Sequence, residues 1–194
     1  MELYFVRHVQ PEIAAGVCYG QLDVPLTEGY AAMHEEIFAS IGHIDKVYTS
    51  PLQRCQLLAA RLSAGYVSDD RLKELNFGKW EGMKWDEIDR KLMDHWGAHY
   101  ISVGPPEGES LQELVDRLDS FLNELPVCEK VVIVTHAGVI RVARHLLEGK
   151  PLHEIMSEKI NYGGIYTFKI YEDLYKKRRS GYHRFVRRKP GRQR

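Results

Sequence analysis

Little in this sequence fits a cross-linked, thiolate-metal or membrane-spanning protein. Only three cysteines occur, Cys18, Cys55 and Cys128, with no Cys-x-x-Cys spacing. So few and so scattered, they speak against a disulfide framework or a thiolate zinc site, and free thiols are expected. No stretch approaches the roughly 20 apolar residues needed to span a bilayer. The opening residues, MELYFVRH, reach Arg7 and His8 too soon for a secretory signal, so a cytoplasmic location is expected. Net charge is also lacking, with 27 basic against 27 acidic side chains. What is present is 194 residues, 44% of them hydrophobic, enough for one compact domain with a substantial core.

The zero net charge conceals an asymmetry. Residues 1–173 hold all 27 acidic side chains, and residues 174–194 hold ten basic ones and no acid. The chain therefore divides into a body, 1–173, of net charge −10 and a tail, 174–194, of net charge +10. Such a tail is able to contact nucleic acid or another polyanion. Tyr182 and Phe185 are too few for a stacking platform, so a solubilising or internally docked extension is the expected role.

The order of elements predicts an α/β fold with a mostly parallel central sheet flanked by helices. LYFV at 3–6 and VVIVT at 131–135 are short apolar runs of the kind found in strands covered on both faces. Lys46–Thr49 reads as a third strand. Ser50 as N-cap and Pro51 at the first helical position then predict a helix over 51–64. Ser110 and Glu113 have capping-box spacing, and Leu111, Leu114, Leu118, Phe121 and Leu122 form an apolar stripe, which predicts a helix over 111–124. Residues 165–170 alternate as a late strand near the sheet edge. The stretch 76–109 reads as an irregular excursion with one or two helices and is a candidate lid.

Open parallel sheets bind ligands beyond the carboxyl ends of their strands. Arg7 and His8 leave the first strand there, and His136 leaves another at the same edge. Ala137 and Gly138 follow, a small-residue turn that presents helix N-terminal amides to an anion. Arg54, one turn into the helix after the third strand, brings a second guanidinium. Two arginine forks and two imidazoles suit a phosphoryl group. Singly, each has a blander reading: His8 as a core or cap residue, Arg7 and Arg54 as salt-bridge partners, His136 as the polar end of a buried strand. Their joint placement favours the chemistry. Glu74, beside Leu75, Phe77 and Trp80, reads as a partly enclosed carboxyl, able to stay protonated more readily than an exposed one.

The strings VRHVQP, CYGQLDVPLT, SPLQRCQ, LKELNFGKWEG, PEGES and VTHAGVIR occur in this order. Over roughly residues 3–145 they resemble the histidine phosphatase superfamily, the phosphoglycerate mutase-like three-layer sandwich. The resemblance implies a phosphohistidine mechanism that needs no metal and no cofactor. In it His8 is the nucleophile, Arg7, Arg54 and His136 hold the nonbridging oxygens, and Glu74 serves as acid and then base. The superfamily pattern of glycine after the histidine, then threonine and asparagine three and six positions after it, is replaced here by Val9, Pro11 and Ala14. Part of the phosphate pocket must therefore be built differently, with Gln10 or Gln21 as candidates to supply an amide.

Within the superfamily, GVCYGQLDVPL resembles the bacterial α-ribazole phosphatases of cobalamin nucleotide-loop assembly. That resemblance implies a small phosphorylated substrate, an aromatic nucleoside monophosphate. Tyr19, Trp80, Trp85 and Tyr100 are candidates for an apolar wall against the base, although Trp80 and Trp85 serve equally as packing residues. Tyr162 beside Gly163 and Gly164 is either a rim residue or part of a turn. Three classes remain open: a small-molecule phosphomonoesterase, a phosphoglycerate mutase-like phosphotransferase, and a noncatalytic phosphate-binding or interaction protein.

Overall fold

The structure, a computed structural model, describes residues 1–170; the expected basic tail at 174–194 lies outside the described residues. The elements run β1 (Glu2–Arg7), α1 (Tyr30–Ile41), β2 (Lys46–Thr49), α2 (Gln53–Leu62), β3 (Val67–Ser68), α3 (Arg90–His99), α4 (Leu111–Glu124), β4 (Lys130–Thr135), α5 (Ala137–Glu148), α6 (Leu152–Ile155) and β5 (Ile165–Lys169). Short 3-10 turns occur at Asp70–Leu72 and Gly78–Trp80.

The five strands form one sheet in the order β3-β2-β4-β1-β5. The first four are parallel, and β5 closes the edge antiparallel to β1. Alternate side chains point to opposite faces, and two cores result. Leu3, Phe5, Val131 and Ile133 pack with the apolar stripes of α4 and α5 on one face. Val6, Val47, Val132 and Val134 pack with Ile37 and Ile41 of α1 and with Cys55, Leu58, Ala59 and Leu62 of α2 on the other. This is a three-layer α/β sandwich. Among the described residues no helix is long and apolar enough to cross a membrane.

This layering decides where the site falls. β1 and β4 are neighbours, yet the next helix after β1, α1, lies on one face and the helix leaving β4, α5, lies on the other. The connections diverge, which opens a crevice beyond the carboxyl ends of these two strands. Their register pairs Arg7 with Thr135, so the next residues, His8 and His136, emerge side by side.

The helix α4 begins where its capping box places it. The Ser110 hydroxyl accepts from the Glu113 N–H, and the Glu113 carboxylate accepts from the Ser110 N–H, an arrangement that contributes about 1 kcal/mol. The helix expected over 51–64 is shorter. It starts at Gln53 with Leu52 in the capping position, so Arg54 lies in its first turn. The cause is Ser50, which still continues the sheet by donating its N–H to Val134 O at 3.0 Å and whose hydroxyl faces His136 at 2.8 Å. The same hydroxyl accepts from the Leu52 N–H at 3.3 Å.

Candidate active site

His8 and His136 stand with ring centroids 5.1 Å apart, exposed by only 1% and 0%. The Nδ1 of His8 lies 2.7 Å from the carbonyl oxygen of Val9. A carbonyl can only accept, so Nδ1 carries the hydrogen and Nε2 keeps its lone pair. Val9 is thus part of the device: its carbonyl sets the tautomer and its side chain enters the core beside Val6. Among non-glycine described residues only Glu107 has a positive φ, so no left-handed backbone calls for glycine at position 9. Pro11 bridges to Leu26, while Ala14 is exposed.

Burial holds His8 well below the ordinary histidine range, helped by the charges of Arg54 and Arg7 and opposed by the Val9 hydrogen bond. Burial does the same to His136, followed by His8, Arg54, Arg117 and Arg7. His34, buried in α1, is lowered chiefly by burial as well. These shifts predict a pH dependence of stability. Below the unfolded value of about 6.5 the unfolded chain binds protons that the folded chain refuses, so stability falls as pH drops. Each such histidine contributes up to about 1.4 kcal/mol per pH unit. Above about pH 7 the contribution is constant. Urea midpoints measured from pH 8 to 5.5 test this, and an unchanged midpoint would refute it.

The two arginines converge on the histidine pair. Arg54 is 0% exposed and is clamped by the carbonyls of Leu22 and Gly20, to which it donates at 2.5 and 2.6 Å. Gly20 has φ 33°, and a Cβ there would come within 2.3 Å of the Glu81 carboxylate, so only glycine lets this loop close on Arg54. Arg7 donates to Ile160 O at 2.5 Å and lies 3.7 Å over the Tyr162 ring. The Nε groups of both arginines are buried without a hydrogen-bond partner among the described residues. Buried cations of this kind call for an anion with several acceptor oxygens.

Glu74 reaches the crevice from the segment after β3. Both its carboxylate oxygens accept from the Gly138 N–H at 3.1 Å, and one accepts from Leu75 N–H at 2.9 Å. The helix N-terminal amide expected to meet an external anion is therefore engaged by Glu74. A Cβ at Gly138 would lie 2.3 Å from that carboxylate, so this glycine is required for the approach. Gln21 donates to the Glu74 carbonyl at 2.9 Å and so supports the Glu74 backbone. Gln10 is exposed and does not line the cleft.

The cleft has a volume of about 330 Å³ and includes Arg7, Tyr19, Glu74, Phe77, Trp85 and Arg141 in its wall. Trp85 reaches it and stacks edge-on against Phe77 with centroids 5.2 Å apart. Trp80 does not: it is buried with Cys18, Ile88 and Trp96, a packing residue of the 76–109 excursion. Tyr100 packs against Trp96 and is likewise outside the cleft wall. Tyr162 lies in the turn before β5 and shares a hydroxyl contact of 3.0 Å with Tyr19 of the cleft wall. No local sequence pattern marks Arg141, Arg117 or the contact of the Ser50 hydroxyl with His136. Arg117 donates to the Glu74 carbonyl at 3.0 Å and pairs with Glu109 at 2.6 Å. Burial pushes the Cys18 thiol up to about 12, and the three cysteines are free. Among the described residues no group of three or more His, Cys, Asp or Glu side chains is placed to hold a metal ion.

A buried imidazole pair, two guanidinium groups each with an unpartnered Nε among the described residues and an anchored carboxyl, at the carboxyl edge of a three-layer sandwich, define the class as a phosphoryl-handling α/β enzyme. The chain matches the histidine phosphatase superfamily (branch 1) over residues 3–181. It belongs to that family and is a phosphohydrolase of it. It is 28% identical over 170 residues to phosphoserine phosphatase 1 of Hydrogenobacter thermophilus, covering 81% of each chain. It is 29% identical over 153 residues to the adenosylcobalamin/alpha-ribazole phosphatase of Salmonella typhimurium, covering 72% of this chain and 76% of that one. The alpha-ribazole phosphatase structure from Shigella flexneri superposes with a TM-score of 0.79 at 22% identity, covering 90% and 93% of the two chains. That last likeness is one of fold.

Proposed function

We propose that this chain hydrolyses a small phosphate monoester through phospho-His8, with α-ribazole 5′-phosphate as the substrate. The observation that carries the mechanism is the Nδ1 contact of His8 with the Val9 carbonyl, which leaves Nε2 neutral and free to attack phosphorus in line. The P–N bond forms as the P–O bond to the alcohol breaks. Arg7, Arg54 and His136 hold the nonbridging oxygens and stabilise the charge of the transition state. Glu74, protonated, gives its proton to the departing alkoxide. As a carboxylate it then takes a proton from the water that cleaves the P–N bond, and His8 leaves with its lone pair restored.

The substrate choice has two supports. One is the alpha-ribazole activity carried in the name of the Salmonella relative. The other is the edge-to-face pair of Phe77 and Trp85 in the cleft wall, an apolar surface suited to a planar base. A chain that admits water to phospho-His8 acts as a phosphatase, whereas a mutase must return the phosphoryl group to a bound acceptor.

The test is phosphate release in metal-free buffer, comparing kcat/KM for α-ribazole 5′-phosphate, 3-phosphoglycerate and an ordinary nucleoside monophosphate. The expected preference for α-ribazole 5′-phosphate is at least about 100-fold, or roughly 2.7 kcal/mol of differential transition-state binding. Comparable slow rates would make the chain a broad phosphatase. Faster isomerisation of phosphoglycerate than phosphate release would make it a mutase, and phosphate binding without release would make it a binding protein.

A further inference from the structure

Arg141 shares the cleft wall with Arg7, and no step of phosphoryl transfer uses it. It lies on the second turn of α5, half-buried. Its Nε and one Nη both donate to a single acceptor, the Glu158 carbonyl, at 3.0 and 2.8 Å. That leaves the end of the fork, between its two terminal nitrogens, with donors to spare. The Glu158 carboxylate is itself occupied by Arg144 and Lys150. Among the described residues Arg141 has a carbonyl partner and no ion-paired carboxylate. Arginine does not lose its proton in proteins, so this charge stands beside the cleft with no directly paired carboxylate among the described residues.

Position within the cleft says what that charge meets. In the proposed mechanism Arg7, Arg54 and His136 hold the phosphoryl oxygens at the point His8 attacks, and Glu74 stands at the departing oxygen. Burial lowers Arg141's hold on its proton; Glu74 is the charged group that opposes this most strongly, Arg7 adds to the lowering and Glu158 opposes it. Arg141 lines the cleft with Arg7, Glu74, Gly138 and Met156, and it stands one turn along α5 from Gly138, whose N–H holds the Glu74 carboxylate. A donor one turn from the residue that holds the leaving-group acid is placed to reach the alcohol.

We propose that Arg141 is a specificity-determining residue that donates from the free end of its fork to an oxygen acceptor on the leaving alcohol, close to the ester oxygen. The inference rests on the phosphomonoesterase reading and on Glu74 as the leaving-group acid. Two kinds of alcohol carry such an acceptor: a sugar with its hydroxyl and ring oxygens, or a hydroxy acid with its carboxylate.

The experiment compares wild type, R141M and R141K on α-ribazole 5′-phosphate, O-phosphoserine and phenyl phosphate, whose alcohol has no further oxygen. R141M keeps the apolar stem and removes the donors; R141K keeps the charge without the fork. The expected result is that R141M lowers kcat/KM on an oxygen-bearing substrate at least about 10-fold more than on phenyl phosphate, with R141K in between. Loss confined to α-ribazole 5′-phosphate assigns the sugar as acceptor, and loss confined to O-phosphoserine assigns the carboxylate. Equal losses on all three substrates would overturn the proposal, since Arg141 would then serve the fold or the phosphoryl group. Unchanged preferences in a folded R141M would overturn it too. A wild type inactive on all three would bring down the phosphomonoesterase reading itself, a result distinct from either.

Discussion

Replacing His8 with alanine should lower phosphate release at least about 10⁴-fold, equivalent to roughly 5.5 kcal/mol of lost transition-state stabilisation. No other side chain stands ready to take over. The ring of His136 is fully buried, with its Nε2 2.8 Å from the Ser50 hydroxyl, and its centroid is 5.1 Å from that of His8. The variant should still bind inorganic phosphate, because the carbonyl clamps on Arg54 and Arg7 do not involve His8. Thermal shift with phosphate and turnover with a monoester therefore separate binding from chemistry. Rapid-quench labelling of the wild type adds the assignment: the phosphoryl group is expected on His8 Nε2. Label on His136, or turnover surviving in the alanine variant, would reverse the two histidine roles.

The parts of this site that were legible in the sequence are those set by local pattern. β2 and α4 occupy the residues their patterning predicts, since Lys46–Thr49 and the Ser110 capping box are decided by near neighbours. His8 and His136 were found because each ends a buried parallel strand, and the β1 and β4 register then brings them together. α1 was not found. It starts after Gly29 in a left-handed conformation with no side-chain cap. Its buried face includes His34, while Met33 and Phe38 lie exposed, so its apolar residues do not form one stripe. Trp80 and Trp85 look alike in sequence, but one packs against Trp96 and the other turns to the cleft. Long-range contacts were equally hidden. Glu74 meets Gly138 across 64 positions, Ser50 meets His136 across 86, and Arg7 meets Ile160 across 153. No local spacing encodes those pairings.

Glu74→Gln should divide the two half-reactions. Glutamine keeps the shape and one oxygen to accept from the Gly138 and Leu75 N–H groups, but it has no proton to give and no carboxylate to receive one. On an alkyl phosphate, whose alkoxide is a poor leaving group, kcat/KM should fall about 10²- to 10⁴-fold, the usual worth of general acid catalysis. On p-nitrophenyl phosphate the departing phenolate needs no proton, and kcat/KM, which reports the first irreversible step, should change by less than about threefold. Yet kcat on that same substrate should drop, because hydrolysis of phospho-His8 still needs the base. The variant should therefore release one equivalent of nitrophenolate in a burst and then turn over slowly, with phosphoenzyme accumulating. If both kcat/KM values fell alike, Glu74 would be a positioning group, held at the N-terminus of α5 to shape the cleft. If the burst were missing while the alkyl substrate alone suffered, Glu74 would be the acid and some other group would activate the water. The position of the carboxyl, tied to the Gly138 N–H in the cleft wall, favours a single residue that serves both steps, since the water must enter where the alcohol has left.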